Sequence, residues 1–71
     1  MKNFTKIDLH GLRHADVEAA LANEFFWKNI KKAEVITGNS IKMKKIVKNW
    51  FKKNKIDYFE FTNKASFLAY Q

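Results

Sequence analysis

Two short stretches hold the residue types that could do chemistry: Asp8, His10 and Gly11 within I-D-L-H-G at 7–11, and Thr37, Gly38, Asn39 and Ser40 as T-G-N-S. Asp8 and His10 stand two apart in an alternating run. On a strand both side chains project from one face, within reach for a carboxylate to orient an imidazole and hold its tautomer. Such a pair can act as general acid or base on a hydroxyl beside a phosphate, the 2′-OH of RNA included. A strand with a polar face that runs into a glycine turn accounts for the same residues without any chemistry. T-G-N-S lacks the glycine spacing of a P-loop and the Lys that precedes its hydroxyl residue. Ser40 therefore reads as an N-cap, opening a helix whose unpaired N–H groups suit a phosphate. Asp8, His10 and His14 match no metal-ligand motif, so no ligand set for a divalent metal is identified and the cofactor requirement stays open.

The elements that must position these residues follow from periodicity. Lys6 to His10 alternates, with Ile7 and Leu9 on one face, which predicts a half-buried strand. Asp16 to about Asn29 predicts a helix with Val17, Ala20, Leu21 and Phe25 along one side, capped at or near Asp16, with Lys31 and Lys32 beyond its end. Ala33 to Thr37 is a short apolar, β-branched run, hence a second strand. Met43, Ile46, Val47, Trp50 and Phe51 fall at i, i+3, i+4, i+7 and i+8, the pattern of an amphipathic helix. Ile56 to Thr62 and Ala65 to Tyr70 predict an antiparallel hairpin turning at Asn63-Lys64. Trp50, Phe51, Phe59, Phe61 and Phe67 read as core; Phe26 and Tyr58 read as more exposed and available to stack on a base.

The order β-α-β-α-β-β predicts an α/β two-layer sandwich, a four-stranded mixed sheet with two helices on one face and the other face partly open. Parallel strands place the ends of the first two at one edge of the sheet, so His10-Gly11 and Gly38-Asn39-Ser40 are expected to meet there.

The chain of 71 residues is a single domain, 1–71, with 46% hydrophobic and 15% aromatic residues, enough to build a core. It has no cysteine, which excludes a disulfide framework and a thiolate zinc site. No apolar run approaches the ~18 residues a membrane span needs, and no signal-peptide core opens the chain, so a cytoplasmic protein with no membrane association is expected. The net charge of +7 points to an anionic partner, nucleic acid first. Seven lysines and no acid lie between Lys42 and Lys55, so one face is expected to be strongly basic.

The stretches IDLHGL at 7–12, AALANEFF at 19–26, VITGNS at 35–40 and MKKIVKNWF at 43–51 together resemble the Smr (small MutS-related) domain family. The family's L-D-L-H-G-type motif is matched at Asp8, Leu9, His10 and Gly11. Its T-G-x-G turn is matched at Thr37 and Gly38, with Ser40 in the place of the second glycine. Many members carry a glycine-rich stretch between the last two strands; Thr62-Asn63-Lys64-Ala65 replaces it here. The resemblance spans almost the whole chain. It implies endonuclease activity, DNA nicking or RNA cleavage, with Asp8 and His10 as catalytic residues and Gly38, Asn39 and Ser40 as the binding turn. The two-layer arrangement also resembles the C-terminal domain of bacterial translation initiation factor three, which implies structured RNA, the ribosome included, as a partner.

The resulting expectation is a stand-alone Smr-like nucleic-acid-binding domain with endonuclease activity, RNA favoured over DNA, acting as a monomer or weak dimer. The alternative is a non-catalytic RNA-, DNA- or ribosome-binding module of the same fold. Gly11, Arg13, His14, Thr37, Gly38, Asn39, Ser40, Lys42, Lys44, Lys45 and Lys48 are the expected binding residues around Asp8 and His10.

Overall fold

The computed structural model describes residues 5–61 and 65–71. Along the chain run β1 (Thr5–Asp8), α1 (His14–Ala22), a π-helical turn (Asn23–Trp27), β2 (Lys32–Ile36), α2 (Ile41–Lys53), β3 (Asp57–Glu60) and β4 (Ser66–Tyr70). This is the predicted α/β fold, a four-stranded mixed sheet with two helices. The turn expected at Asn63-Lys64 lies outside the described residues.

The sheet order is β1-β2-β4-β3. β1 and β2 are parallel, and β4 is antiparallel to both of its neighbours, so β3 runs in the same direction as β1 and β2. Both helices are therefore crossovers between strands of one direction, and each buries its apolar stripe in the same core. Register puts Ile7, Val35 and Phe67 in one inward row and Ala33, Ala69 and Tyr58 in the next. Val17, Leu21 and Phe25 from the first crossover, and Met43, Val47, Trp50 and Phe51 from α2, close over them. Phe51 is at the centre, with its ring 5.3–6.3 Å from those of Tyr58, Phe67, Trp50 and Phe25.

α1 starts two residues before the predicted Asp16. Arg13 holds the N-cap position with no side-chain cap, and Asp16 lies in the first turn, where its carboxylate accepts from Arg13 Nε at 3.1 Å. After Ala22 the helix widens, and Lys28 N–H donates to Asn23 O across five residues at 3.0 Å. The Gln71 side-chain amide donates to Phe25 O and Ile30 O at 3.0 and 2.7 Å, supplying partners for carbonyls at this helix end. α2 ends with Lys55 in the left-handed region (φ 59) while Ile56 N–H donates back to Phe51 O at 2.9 Å.

The aromatic assignment on β3 is corrected. Tyr58 turns inward against Phe51 and Phe67, whereas Phe59 is 54% exposed on the open face of the sheet, edge-on to Phe61 at 5.6 Å. Asp57-Tyr58-Phe59-Glu60-Phe61 carries aromatics at both parities, and pleat alternation allows only one parity to face the helices. The inward one is that of Tyr58 and Glu60.

Candidate nucleic-acid interface

The two motifs found in the sequence meet at one edge of the sheet. Pairing of β1 with β2 runs through Asp8 and Ile36 and is extended by Leu9 N–H to Ile36 O at 2.8 Å, so the strands release the chain side by side. At the end of β1, residues 9–12 form a turn closed by Leu12 N–H to Leu9 O at 2.9 Å. Gly11, at its third position, has φ 87, which a type II turn requires and a side chain would oppose. Asp8 Oδ1 accepts from the backbone N–H of His10 at 3.0 Å. The carboxylate thus orients His10 through the main chain, in the manner of an Asx turn, and the described residues form no hydrogen bond to the imidazole itself.

At the end of β2, Thr37 is 2% exposed and anchors the turn from below. Its N–H and that of Gly38 donate to Ala65 O at 2.7 and 3.0 Å. Its hydroxyl stands 3.0 Å from Ala65 O and 2.9 Å from Gly38 O, with one proton for either. Gly38 has φ 73, and a methyl group there would stand 3.1 Å from His10 Cδ2. The imidazole therefore lies over the glycine of the second motif. Ser40 caps α2, its Oγ accepting from Met43 N–H at 3.1 Å, as the sequence predicts.

Gly38→Ala tests this packing. The left-handed backbone costs an L residue about 1–2 kcal/mol, and the new methyl has to displace the imidazole. The expected outcome is a stability loss of that size in urea denaturation together with a shift of the His10 ring resonances. Unchanged His10 resonances would show that the ring does not rest on Gly38.

Comparison with protein-family models, with curated proteins and with solved structures finds no match. The site must be read from its own chemistry.

Gly11, Arg13 and His14, in the turn after β1 and the start of α1, and Asn39, Ser40 and Lys42, in the turn after β2 and the start of α2, are exposed. Arg13 shares its charge with Asp16, an exposed pair. The lysines of α2 divide by side. Lys42, Lys45, Lys52 and Lys53 are exposed and form no ion pair with a described residue. Lys44 and Lys48 are half-buried and turn towards β3, with Nζ 3.9 and 3.3 Å from the carboxylate of Glu60. These two are partly neutralised within the fold, so the exposed, unpaired positive charge of α2 is concentrated on Lys42, Lys45, Lys52 and Lys53. Lys52 and Lys53 also occupy the last turn of α2, where the helix dipole favours cations.

Among the described residues no three His, Asp or Glu side chains gather to hold a metal, and no helix is long and apolar enough to cross a membrane. Trp27, 85% exposed, has no role among the sequence-based expectations, and Phe59, expected in the core, is exposed as well. Phe25-Phe26-Trp27 carried a usable signal for the first: three consecutive aromatics cannot all lie on one helical stripe.

Proposed function

We propose that this chain is an Smr-like nucleic-acid-binding domain, RNA favoured over DNA, that cuts the backbone at the edge where His10 overlies Gly38. The single observation that carries the reading is that convergence. An exposed imidazole stands over the turn that leads to the capped N-terminus of α2, at one end of a helix on which Lys42, Lys45, Lys52 and Lys53 face outward. In this arrangement Lys42 and Lys45 hold phosphates, and the N–H groups of the first turn of α2 attract an oxyanion. His10 moves a proton to or from the reacting hydroxyl, and Asp8 fixes the turn that presents the ring.

A non-catalytic binding module of the same fold is the second reading. The bond from His10 N–H to the Asp8 carboxylate favours it, because the acid serves the main chain and leaves the imidazole tautomer unset.

Binding is tested by titrating labelled structured RNA, single-stranded RNA and duplex DNA at several salt concentrations. Affinity should fall with salt by roughly 0.7–0.9 log units per log unit for each phosphate contacted. Lys45→Ala should reduce that slope by about one contact. A flat salt response, or a slope untouched by Lys45→Ala, would remove the lysine face from the interface. Cleavage of the same RNAs then separates the two readings.

A further inference from the structure

The most exposed aromatic of the described residues belongs to no part of the core. Trp27 ends the π turn at 85% exposure, beside Phe26 at 49%. Phe26 is backed by Trp50 of α2, ring centroids 5.4 Å apart at 40°. A shallow cleft of about 380 Å³ runs along this aromatic pair, floored by Ala19 and Ala22 and edged by Asn23. Leaving a tryptophan in water forgoes its burial free energy, so an apolar cleft this exposed marks a surface with a partner.

Charge identifies the kind of partner. On α2, Lys42, Ile46, Asn49 and Lys53 follow one another at i, i+4, i+7 and i+11, the row next to Met43 and Trp50. Lys53 lies one turn beyond Trp50 and Lys42 in the first turn of α2, so this row carries a cation at each end, with Ile46 and Asn49 between them. Glu24, the acid within the π turn, is held by Lys28 Nζ at 3.2 Å. Glu18 lies one turn from Ala22, towards the other end of α1. The open face of the sheet offers aromatic surface too, at Phe59 and Phe61, but places Asp8, Glu34 and Asp57 there against Lys6 and Lys32, which repels a phosphate chain. The helical face joins stacking surface to positive charge.

We propose that Trp27, which lines the same cleft as Phe26, stacks an unpaired base while the exposed lysines of α2 carry the phosphates of the same strand, so that the preferred ligand is single-stranded nucleic acid. This rests on the nucleic-acid reading above and adds to it the strand form that is recognised. Every base has a π face, so such a platform is tolerant of sequence, but a base inside a duplex does not offer that face. From Ser40 to Trp50 the helix rises about 15 Å at ~1.5 Å per residue. That is about four stacked nucleotides at ~3.4 Å each, so a strand stacked at Trp27 reaches the His10 edge about four nucleotides away.

The test uses the full chain with a twelve-nucleotide oligoadenylate and with a duplex of equal length, at one salt concentration. Trp27→Ala should weaken binding of the single strand about 5- to 150-fold and change duplex binding less than about twofold, while Trp27→Phe retains most of the affinity. In Trp50→Phe protein, where Trp27 is the remaining tryptophan, the oligoadenylate should quench the fluorescence. Equal loss on both ligands, or no loss on either, overturns the stacking role while nucleic-acid binding itself stands. If neither oligonucleotide binds, both readings fall. If phosphatidylserine-containing vesicles shift Trp27 emission to the blue and the oligoadenylate does not quench it, the aromatic face belongs to a lipid surface and the proposal is wrong.

Discussion

His10→Ala should lower the rate of RNA cleavage by about 10²- to 10⁴-fold, the range supplied by a positioned general acid or base, with affinity nearly unchanged. The ring is exposed and rests on Gly38, so its removal opens no cavity in the core. The bond that shapes the turn comes from the backbone N–H of His10 to Asp8 Oδ1 and survives the substitution. Asp8→Asn complements it, because the amide oxygen can accept the same bond while the charge is lost. If the charge assists the imidazole, Asp8→Asn slows cutting without loosening the turn; if Asp8 only holds the main chain, Asp8→Asn cuts as wild type and Asp8→Ala does not. Single-turnover cleavage beside a binding titration reads these differences. Equal cleavage by wild type and His10→Ala would leave only the binding module.

Phe51→Ala should abolish the folded state at 25 °C. The side chain is fully buried and is the point where the end of the first crossover, α2, β3 and β4 meet, through Phe25, Trp50, Tyr58 and Phe67. Truncating a buried Phe costs about 3–5 kcal/mol, and a core in a domain this small rarely supplies more than about 3–5 kcal/mol in total. Far-UV circular dichroism with urea titration should show no cooperative transition for Phe51→Ala and a weakened one for Phe51→Leu, which keeps most of the volume. A Phe51→Ala protein that melts within about 1 kcal/mol of wild type would mean the aromatic cluster is not the core's centre.

The elements were legible wherever burial imposes a single period. Met43, Val47, Trp50 and Phe51 recur at helical spacing and all are buried in α2; Ile7 and Leu9 alternate and are buried at the end of β1. Ser40 was readable as a cap because the need for an acceptor at that position is local. The meeting of His10 with Gly38 followed from topology alone, since parallel neighbours share an edge. What escaped the sequence depends on partners far away in the chain. Lys44 and Lys48 look like any surface lysines until β3 brings Glu60 beneath them. Thr37 looks like part of an exposed turn until Ala65 accepts its N–H. The sequence pattern assigned the inward side of β3 to Phe59 and Phe61, wrongly, because both parities carry aromatics; contact with Phe51 and Phe67 gives that side to Tyr58 instead.

β4, although it follows every other strand in the chain, occupies the interior of the sheet, paired with β2 on one side and β3 on the other. The β2–β4 ladder is non-local, whereas β3 and β4 pair as a hairpin, and β3 meets the rest of the sheet only through β4. A chain that ends before Ser66 leaves β2 with one partner and β3 with none, so no stepwise assembly from the N-terminus can close the core. Folding has to wait for residues 66–70 and then occur in one cooperative step, governed by the search for β4's central slot. Until then the half-made sheet exposes unpaired strands to neighbouring chains, and the time spent in that state during synthesis sets its tendency to aggregate.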